Sequence, residues 1–342
     1  MKKKIFFILL FFLVTVGYFF YKNYFLTSRN NVVREGYILI PKKASFSQIL
    51  DSISPYLKDP KSFEKVAKKN HLNKYFHAGR YFIKNGSGNE SIVQMIKQGI
   101  QTENTFRIGD FSDVYTMIGR ITKKTEADSA TFVKSWNKIS VKRGFHDVED
   151  LKPYFFIDTY NFFWTVTPEE FFSRFEKLYT EFWNQERREK EKKLNLTRSQ
   201  IYALASIVYR ESGGRPDEQR TIAGLYLNRY KKGMKLQSDP TVIYAVKKNV
   251  NFKRKIRRVL HKDLKIPSPY NTYLNTGIPP GPICVVDRNS VDAVLNAETH
   301  DYLYMCADPS RIGYHKFTKS DKEHMKNAKA YQEWLNSLNL KK

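Results

Sequence analysis

The feature that most limits what this chain can fold into is an apolar run near its start. Residues 5–21 carry no charge and follow three lysines at 2–4. A helix of this length spans roughly 25 Å, enough to cross a bilayer core when flanking lysines extend toward water. The run ends in aromatic residues and Lys22, a pattern typical of a membrane–water interface. We therefore predict a transmembrane anchor at 5–21.

A cleavable signal peptide is the competing interpretation of this run. The aromatic ending has no small-residue cleavage site, which favours the uncleaved anchor. The basic residues 1–4 are expected to stay in the cytoplasm as a short tail. This orientation predicts a single-pass protein of the cell (inner) membrane, with residues 22–36 as a stalk and the rest of the chain outside the cytoplasm.

Positive charge is the second general property, with a formal net charge of +25. Such a balance is typical of proteins that bind polyanions, including nucleic acid. An extracytoplasmic location and the lack of a nucleic-acid-binding motif argue against that partner. The charge is spread over several runs, among them KRKIRR at 253–258 and the final KK. We therefore expect anionic partners outside the cytoplasm, such as a membrane surface, and no nucleic acid.

Cysteine and histidine are too sparse to indicate a metal site or a disulfide framework. Cys284 and Cys306 lie in apolar segments that we interpret as strand-like, without metal-ligand spacing. The sequence is compatible with either a disulfide bond between them or two free buried thiols. The seven histidines include no H-x-x-x-H pair. We therefore expect no cofactor and no metal.

Residues 37–104 show the order strand, helix, helix, strand. Strands are predicted at 37–40 and 80–83, and Ser45 or Ser47 is a candidate N-cap for the first helix. The second helix is predicted at 60–69 because Pro60 fits a first turn. A further helix at 90–97 should end at Gly99.

Residues 105–195 are predicted to be mainly helical. Val114, Met117, Ile118 and Ile121 form one apolar stripe, which is typical of core packing. The charged run at 185–196 is typical of a solvated helix and marks the start of a last region at 196–342. Thr197 can begin the next helix through a capping box with Gln200.

That helix runs through the segment ASIVYRESGG and delivers Glu211 to a Gly-Gly break. The residues from Leu204 to Val208 have the spacing of a buried face, and Glu211 lies one turn beyond it. A carboxyl at such a border is partly desolvated, which raises its pKa toward the range of a general acid. A solvated glutamate at a helix end is the alternative.

Ordered motifs follow Glu211 along the chain. They are IAGLYLNRY, LQSDPTVIYAV, SPYNTY and GIPPGPI, with weaker YLYMCAD and GYHKF segments. Together with ASIVYRES they resemble the MltG (YceG-like) family of endolytic murein transglycosylases. The resemblance covers roughly residues 30–335 and is densest at 201–317. Tyr209 replaces a second glutamate found in many relatives, Ser212 replaces a threonine, and the stretch to Glu218 is about one residue longer.

The resemblance implies an α+β protein: a transmembrane helix, a small LysM-like βααβ module, a helical middle segment and a mixed α/β catalytic domain at 196–342. LysM modules recognise glycans that contain N-acetylglucosamine, although a small spacer without glycan affinity fits the module's pattern equally well. The implied activity is lytic cleavage of nascent peptidoglycan strands with 1,6-anhydro products, which would terminate strand elongation beside peptidoglycan synthases. The alternatives are a hydrolytic muramidase and a non-catalytic glycan-binding scaffold for the synthases.

The resemblance makes Glu211 the catalytic acid, and a muramidase would need a second carboxylate from Glu218 or Asp239. Polar and aromatic residues of the motifs are candidates for substrate binding, each with a scaffold role as its alternative. These candidates are Asn228, Gln237, Asp239, Tyr244, Ser268, Tyr270, Asn271, Thr272 and His315. Tyr273 is a further candidate for stacking on a sugar ring.

Overall fold

The computed structural model describes residues 2–253, 256 and 259–337. Most of the predicted basic run at 253–258, the final lysines and Met1 of the predicted tail lie outside the described residues. Helices and short antiparallel strand pairs both occur, which confirms mixed α and β content. The chain divides into two compact units. The first comprises Met1–Phe106, Ile121–Asp128 and Asn161–Thr167, and the second comprises Arg107–Arg120, Ser129–Tyr160 and Pro168–Lys342.

The chain begins with helix α1, Lys2–Thr27. Its segment Lys4–Thr27 is long and apolar enough to cross a membrane. The helix is longer than the predicted span 5–21, because Lys22 to Thr27 continue it. Asn31 and Val32 are buried in the structure that follows. Helix α1 thus extends into the segment predicted as a short stalk, and part of that segment is buried.

The N-terminal module, residues 36–98, has the predicted order of elements. It comprises β1 Gly36–Ile40, α2 Phe46–Ile53, α3 Pro60–Lys69, β2 Gly79–Ile83 and α4 Asn89–Gln98. The two strands pair antiparallel, with Gly36 opposite Ile83. Ser45, one of two predicted caps, forms a capping box with Gln48. Alternating strand residues and one face of each helix bury a continuous apolar core.

Residues 104–194 continue with short strands and longer helices. They comprise β3 Asn104–Ile108, α5 Val114–Ile121, α6 Ser129–Lys142, β4 Asp158–Phe162, α7 Pro168–Phe182 and α8 Gln185–Leu194. Strand β3 pairs with β4. The apolar stripe predicted on α5 is buried, whereas α8 has no buried residue. The stripe on α5 therefore packs in the core, and α8 is a solvated helix, as predicted.

The rest of the second unit is built around α9, Arg198–Glu211. The remaining elements are α10 Gln219–Lys231, α11 Asp239–Asn249, α12 Arg288–Leu295, β5 Tyr304–Ala307, β6 His315–Thr318 and α13 Asp321–Ser337. Helix α9 is buried on every side from Ile201 to Val208, because it packs against α10, α11 and α12. The capping box of Thr197 with Gln200 is present as predicted.

The two cysteines are both free. Cys306 lies in β5, as predicted. Cys284 lies in an irregular segment, so the prediction of a strand there is wrong. The apolar PICVV segment is buried beside α9 without a strand partner at Cys284, and the hydroxyl of Ser206 accepts a hydrogen bond from the Ile283 amide. Burial raises the pKa of the Cys284 thiol to about 11.

Candidate active site

A cavity of about 410 Å³ lies in the second unit, at the end of α9. Five of the predicted residues line it: Glu211, Gln237, Asp239, Tyr273 and His315. Tyr226, Arg229 and His324 complete its polar wall. Leu225, Leu236, Leu303, Met305, Cys306 and Ala307 complete the lining. Polar residues outnumber apolar ones in this lining, so the cavity is suited to a polar ligand.

Helix α9 delivers Glu211 to this cavity because the helix ends there. The helix is buried up to Val208, and Glu211 is its last residue. Gly213 and Gly214 follow with φ values of 61° and 80°, in the left-handed region that glycine adopts without strain. The amide of Gly214 donates to the carbonyl of Tyr209 at 3.0 Å and closes the helix. The structure thus matches the predicted position of Glu211 at the border of the core.

Two side chains hold one oxygen of Glu211. The hydroxyl of Tyr226, from α10, donates to Glu211 Oε1 at 2.9 Å. The hydroxyl of Ser238, the N-cap residue of α11, donates to the same oxygen at 2.5 Å. No donor among the described residues contacts the second oxygen, Oε2. One oxygen therefore fixes the carboxyl in place, and the other is available for a bound molecule.

The pKa of Glu211 is raised, with burial as the largest cause. The hydrogen bonds from Ser238 and Tyr226 and the nearby His315 act in the opposite direction, whereas Asp239 raises the pKa further. Burial also raises the pKa of Tyr226 well above its usual range, so this phenol keeps its proton and acts as a donor. The surroundings of Glu211 thus favour its protonated form, which a general acid requires.

Two further carboxylates stand near Glu211, each with its own partner. Asp239 Oδ1 accepts a hydrogen bond of 2.7 Å from the Tyr273 hydroxyl, and both residues line the cavity. Glu218 is buried, and its two oxygens are both engaged by His315: Oε1 accepts from the backbone amide at 2.9 Å, and Oε2 lies 3.2 Å from Nδ1. Glu218 therefore holds His315 in place from behind the cavity wall.

Arg229 was not among the predicted site residues, yet it organises one side of the cavity. Its buried guanidinium donates to Gln237 Oε1 at 3.1 Å and to the carbonyls of Leu236 and Leu303 at 3.0 and 2.6 Å. Gln237 itself has a φ of 51°, an unusual value for a residue other than glycine. Strained positions of this kind are frequent at binding sites.

The other predicted binding residues make scaffold contacts and do not line the cavity. Asn228 donates to the carbonyls of His300 and Tyr302 at 2.7 and 3.2 Å. Asn271, which is fully buried, donates to the carbonyls of Leu264 and Ile266. For each, the structure favours the alternative of a structural role.

The same holds for the four remaining predicted residues. Thr272 is buried, and its hydroxyl accepts a hydrogen bond of 3.0 Å from the amide of Ser238, the residue that contacts Glu211. Tyr244 is buried beside the Lys152 ammonium and packs on the Tyr270 ring at 4.6 Å. Ser268 accepts a hydrogen bond of 3.3 Å from the Tyr270 amide. These residues fix the loop that carries Thr272.

Sequence reasoning missed Tyr226, Ser238, Arg229 and His324. A signal existed for Tyr226, because a tyrosine on an apolar helix needs a partner for its hydroxyl. Ser238 directly precedes Asp239, Pro240 and Thr241, the first residues of α11. In the structure Ser238 occupies the N-cap position, but its hydroxyl contacts Glu211.

Throughout the described ranges, no group of three or more His, Cys, Asp or Glu side chains is placed to hold a metal ion.

Comparison with known proteins shows which family the chain resembles. The chain matches the model of the YceG-like family over residues 38–330. An endolytic murein transglycosylase of Bacillus subtilis is 31% identical over 323 residues, which covers 89% of this chain and 86% of that protein. One of Streptococcus pneumoniae is 31% identical over 139 residues, 40% of this chain and 24% of that protein.

A solved structure is also similar to most of this chain. The crystal structure of a yceG-like protein of Listeria monocytogenes has a TM-score of 0.57 and 25% identity, and the match covers 85% of this chain and 98% of that one. The family model matches well over half of the chain, and the Bacillus subtilis relative matches along most of its own length. The chain therefore belongs to the YceG-like family.

Proposed function

We propose that this chain is a membrane-anchored endolytic lytic transglycosylase that cleaves the bond between N-acetylmuramic acid and N-acetylglucosamine in nascent peptidoglycan. The observation that carries the proposal is the setting of Glu211. One of its oxygens is held by Tyr226 and Ser238, the other is available to a ligand, and burial raises its pKa. The names of the Bacillus subtilis and Streptococcus pneumoniae relatives support the same activity.

A single carboxylic acid suffices for this chemistry because the substrate carries its own nucleophile. Glu211, protonated on Oε2, donates its proton to the glycosidic oxygen that leaves C1 of N-acetylmuramic acid. The C1–O bond breaks as positive charge develops on the ring. The C6 hydroxyl of the same sugar then attacks C1, and the Glu211 carboxylate accepts its proton. The acid is regenerated, no water is consumed, and the new strand end is a 1,6-anhydro sugar.

Proximity explains why this internal attack competes with water. A nucleophile on the reacting ring has an effective molarity that can reach about 10⁵ M or more, far above the concentration of water. The cavity needs to hold the ring in the conformation that brings C6 near C1. Gln237, Asp239 and His315 line the cavity with Glu211 and offer donors and acceptors to sugar hydroxyls and N-acetyl groups. Arg229 fixes the amide of Gln237 for that purpose.

A hydrolytic muramidase remains the second candidate, because Asp239 lines the same cavity as Glu211. A hydrolase needs a second carboxylate as base or nucleophile. The Tyr273 hydroxyl donates a hydrogen bond to Asp239, which holds this carboxyl group in the cavity. Glu218 fits this role less well, because both of its oxygens are engaged by His315. The chemical nature of the new strand end distinguishes the two reactions.

The cellular part of the proposal rests on α1. We infer that this helix anchors the chain in the cell membrane with its N-terminus in the cytoplasm, so that the residues after α1 act outside. Cleavage close to the membrane would act on strands that are still being extended and would terminate their elongation. Peptidoglycan synthases are the partners expected at that place.

Product analysis tests the proposed reaction. Purified full-length protein in a non-ionic detergent is incubated with uncrosslinked murein strands, and mass spectrometry identifies the new ends. We expect anhydro ends from the wild type and a loss of roughly 10²-fold or more in rate for Glu211→Gln, the usual scale for a general acid. Glu333→Gln, at an exposed site on α13, serves as the matched control. Reducing ends would instead indicate the muramidase, and no cleavage by the wild type would indicate the scaffold.

A further inference from the structure

A second cavity, of about 390 Å³, lies in the first unit where α1 ends and α3 begins. We call it the basic cavity, after the four cationic side chains that line it: Lys22, Arg29, Lys58 and Lys65. Phe25 and Leu26 contribute an apolar part of the wall. Neither the catalytic scheme nor the family match assigns a role to this cavity.

The charge of the basic cavity is largely uncompensated. Asp59 is the one carboxylate in its lining, and it already accepts the Ser62 amide at 3.1 Å as the N-cap of α3. In the part of the chain that the structure describes, none of the four cations forms an ion pair. Four positive charges around a concave space, with one negative charge committed to a helix cap, produce a local potential that attracts an anion.

The position of the basic cavity indicates where that anion comes from. Lys22 and Phe25 belong to the last turns of α1, just beyond the apolar run, and Tyr21 and Tyr24 are exposed beside them. Exposed aromatic residues at the end of a membrane helix lie at the level of the lipid head groups. Basic pockets beside such a helix end are suited to lipid phosphates.

We propose that the basic cavity binds the phosphate-bearing head group of an anionic membrane lipid. This inference rests on the proposed membrane anchor, but not on the proposed reaction. The Arg29 guanidinium can donate two parallel hydrogen bonds to one phosphate, and the lysines add compact charges around it. Phe25 and Leu26 contact the apolar part of the lipid next to the head group. The bound lipid holds the N-terminal module against the bilayer.

The test compares lipid binding by full-length variants in a neutral detergent. Native mass spectrometry measures how much dihexanoyl-phosphatidylglycerol and how much zwitterionic dihexanoyl-phosphatidylcholine each protein retains. The cavity variant is Arg29→Gln, Lys58→Gln and Lys65→Gln. The control variant, Lys43→Gln, Lys69→Gln and Lys123→Gln, removes the same charge from exposed lysines of the first unit that do not line the basic cavity.

We expect the wild type and the control variant to prefer the anionic lipid, and the cavity variant to bind it about fivefold more weakly for each cation removed. Equal loss in both variants, or equal retention of both lipids by the wild type, would overturn the proposal. Inorganic phosphate that binds the wild type as tightly as the lipid does would overturn the assignment to a membrane lipid.

Anchoring is measured separately, by sedimentation of all three proteins with membranes in high salt. If every variant stays in the membrane fraction, the substitutions have not changed anchoring by α1. A difference in lipid binding then reports on the basic cavity alone. Thermal unfolding midpoints close to that of the wild type exclude a loss of binding through misfolding. Activity on short soluble strands should be unchanged in both variants, since none of the six substituted residues lines the catalytic cavity.

Discussion

The hydroxyl of Ser238 donates a hydrogen bond of 2.5 Å to Glu211 Oε1, and this contact lowers the pKa of a carboxyl that burial raises. Ser238 reaches this position as the N-cap residue of α11, where it is itself buried. A residue that begins one helix thereby adjusts the acidity of the residue that ends another.

The first prediction concerns the pH dependence of activity. Ser238→Ala removes a contact that lowers the pKa of Glu211, so that pKa should rise further. Activity needs the protonated acid, and the alkaline limb of kcat/KM should therefore move to higher pH. Asp239→Asn removes a charge that raises the same pKa, and the limb should move to lower pH. Shifts in the same direction for both variants would contradict our account of Glu211.

The second prediction concerns Glu218, which engages His315 through both oxygens. Glu218→Gln keeps one acceptor and should reduce kcat/KM by roughly 3- to 10-fold, well below the loss of a general acid. His315→Gln should have a similar effect. The fold-reduction in kcat/KM of the double variant should be smaller than the product of the two single reductions, because the two residues act as one unit. A loss as large as that of Glu211→Gln would favour the two-carboxylate hydrolase.

The third prediction concerns stability. The pKa of Glu211 is raised in the folded state, so the unfolded state binds fewer protons between its own pKa of about 4.3 and the folded value. The free energy of unfolding therefore falls as the pH rises through this window. Glu211→Gln abolishes this fall in the free energy of unfolding, because glutamine does not ionise. The amide oxygen of the glutamine can still accept the hydrogen bonds from Ser238 and Tyr226. Thermal unfolding should show a variant more stable than the wild type at pH 8, with the difference vanishing near pH 4.

The fourth prediction concerns topology. If α1 is an uncleaved anchor, the mature protein keeps its N-terminus and sediments with membranes even in high salt. Mass spectrometry of the purified protein and fractionation of cells measure both properties. A soluble product that lacks about 20 N-terminal residues would identify the run at 5–21 as a signal peptide.

The fifth prediction concerns glycan binding by the N-terminal module. A third cavity, of about 610 Å³, is lined by Tyr75, a residue 69% exposed, together with Lys42, Lys74 and Lys97. Exposed rings can stack on sugars, and lysines attract the carboxylates of the peptide stems. Tyr75→Ala should therefore weaken cleavage of long strands severalfold more than cleavage of short ones, by lowering the local substrate concentration.

Tyr115→Ala provides the control for that prediction, since Tyr115 is an exposed tyrosine of the second unit that lines neither cavity. Cleavage rates are compared on size-fractionated strands. Equal losses on both lengths for Tyr75→Ala, without a change in strand binding, would leave the module a structural spacer.

Local patterns in the sequence predicted the elements well. Helix α3 has its predicted bounds, Thr197 forms its predicted capping box, and Glu211 ends its helix as expected. These features depend on neighbours within one or two turns, which the sequence displays directly. The longer α1 was missed because Lys22 and Asn23 interrupt the apolar run but do not interrupt the backbone hydrogen bonds of a helix.

The site was predicted less completely, because it depends on contacts between distant elements. Asn271 and Thr272 are 0% and 2% exposed, and their polar groups bond to backbone groups of the protein itself. A sequence does not distinguish such a residue from one that faces a sugar. Tyr226 and Ser238 reach Glu211 only because α10 and α11 return to the end of α9.

The continuity between α1 and the N-terminal module has a mechanical consequence. The Leu26 carbonyl near the end of α1 accepts a hydrogen bond of 2.7 Å from Asn89, and Asn31 is buried beside it. The module is thus joined directly to α1, the proposed membrane anchor. Membrane helices adapt to bilayer thickness by changing their tilt. We expect a thinner or thicker bilayer to rotate the module, and cleavage rates in vesicles of different acyl-chain length to respond.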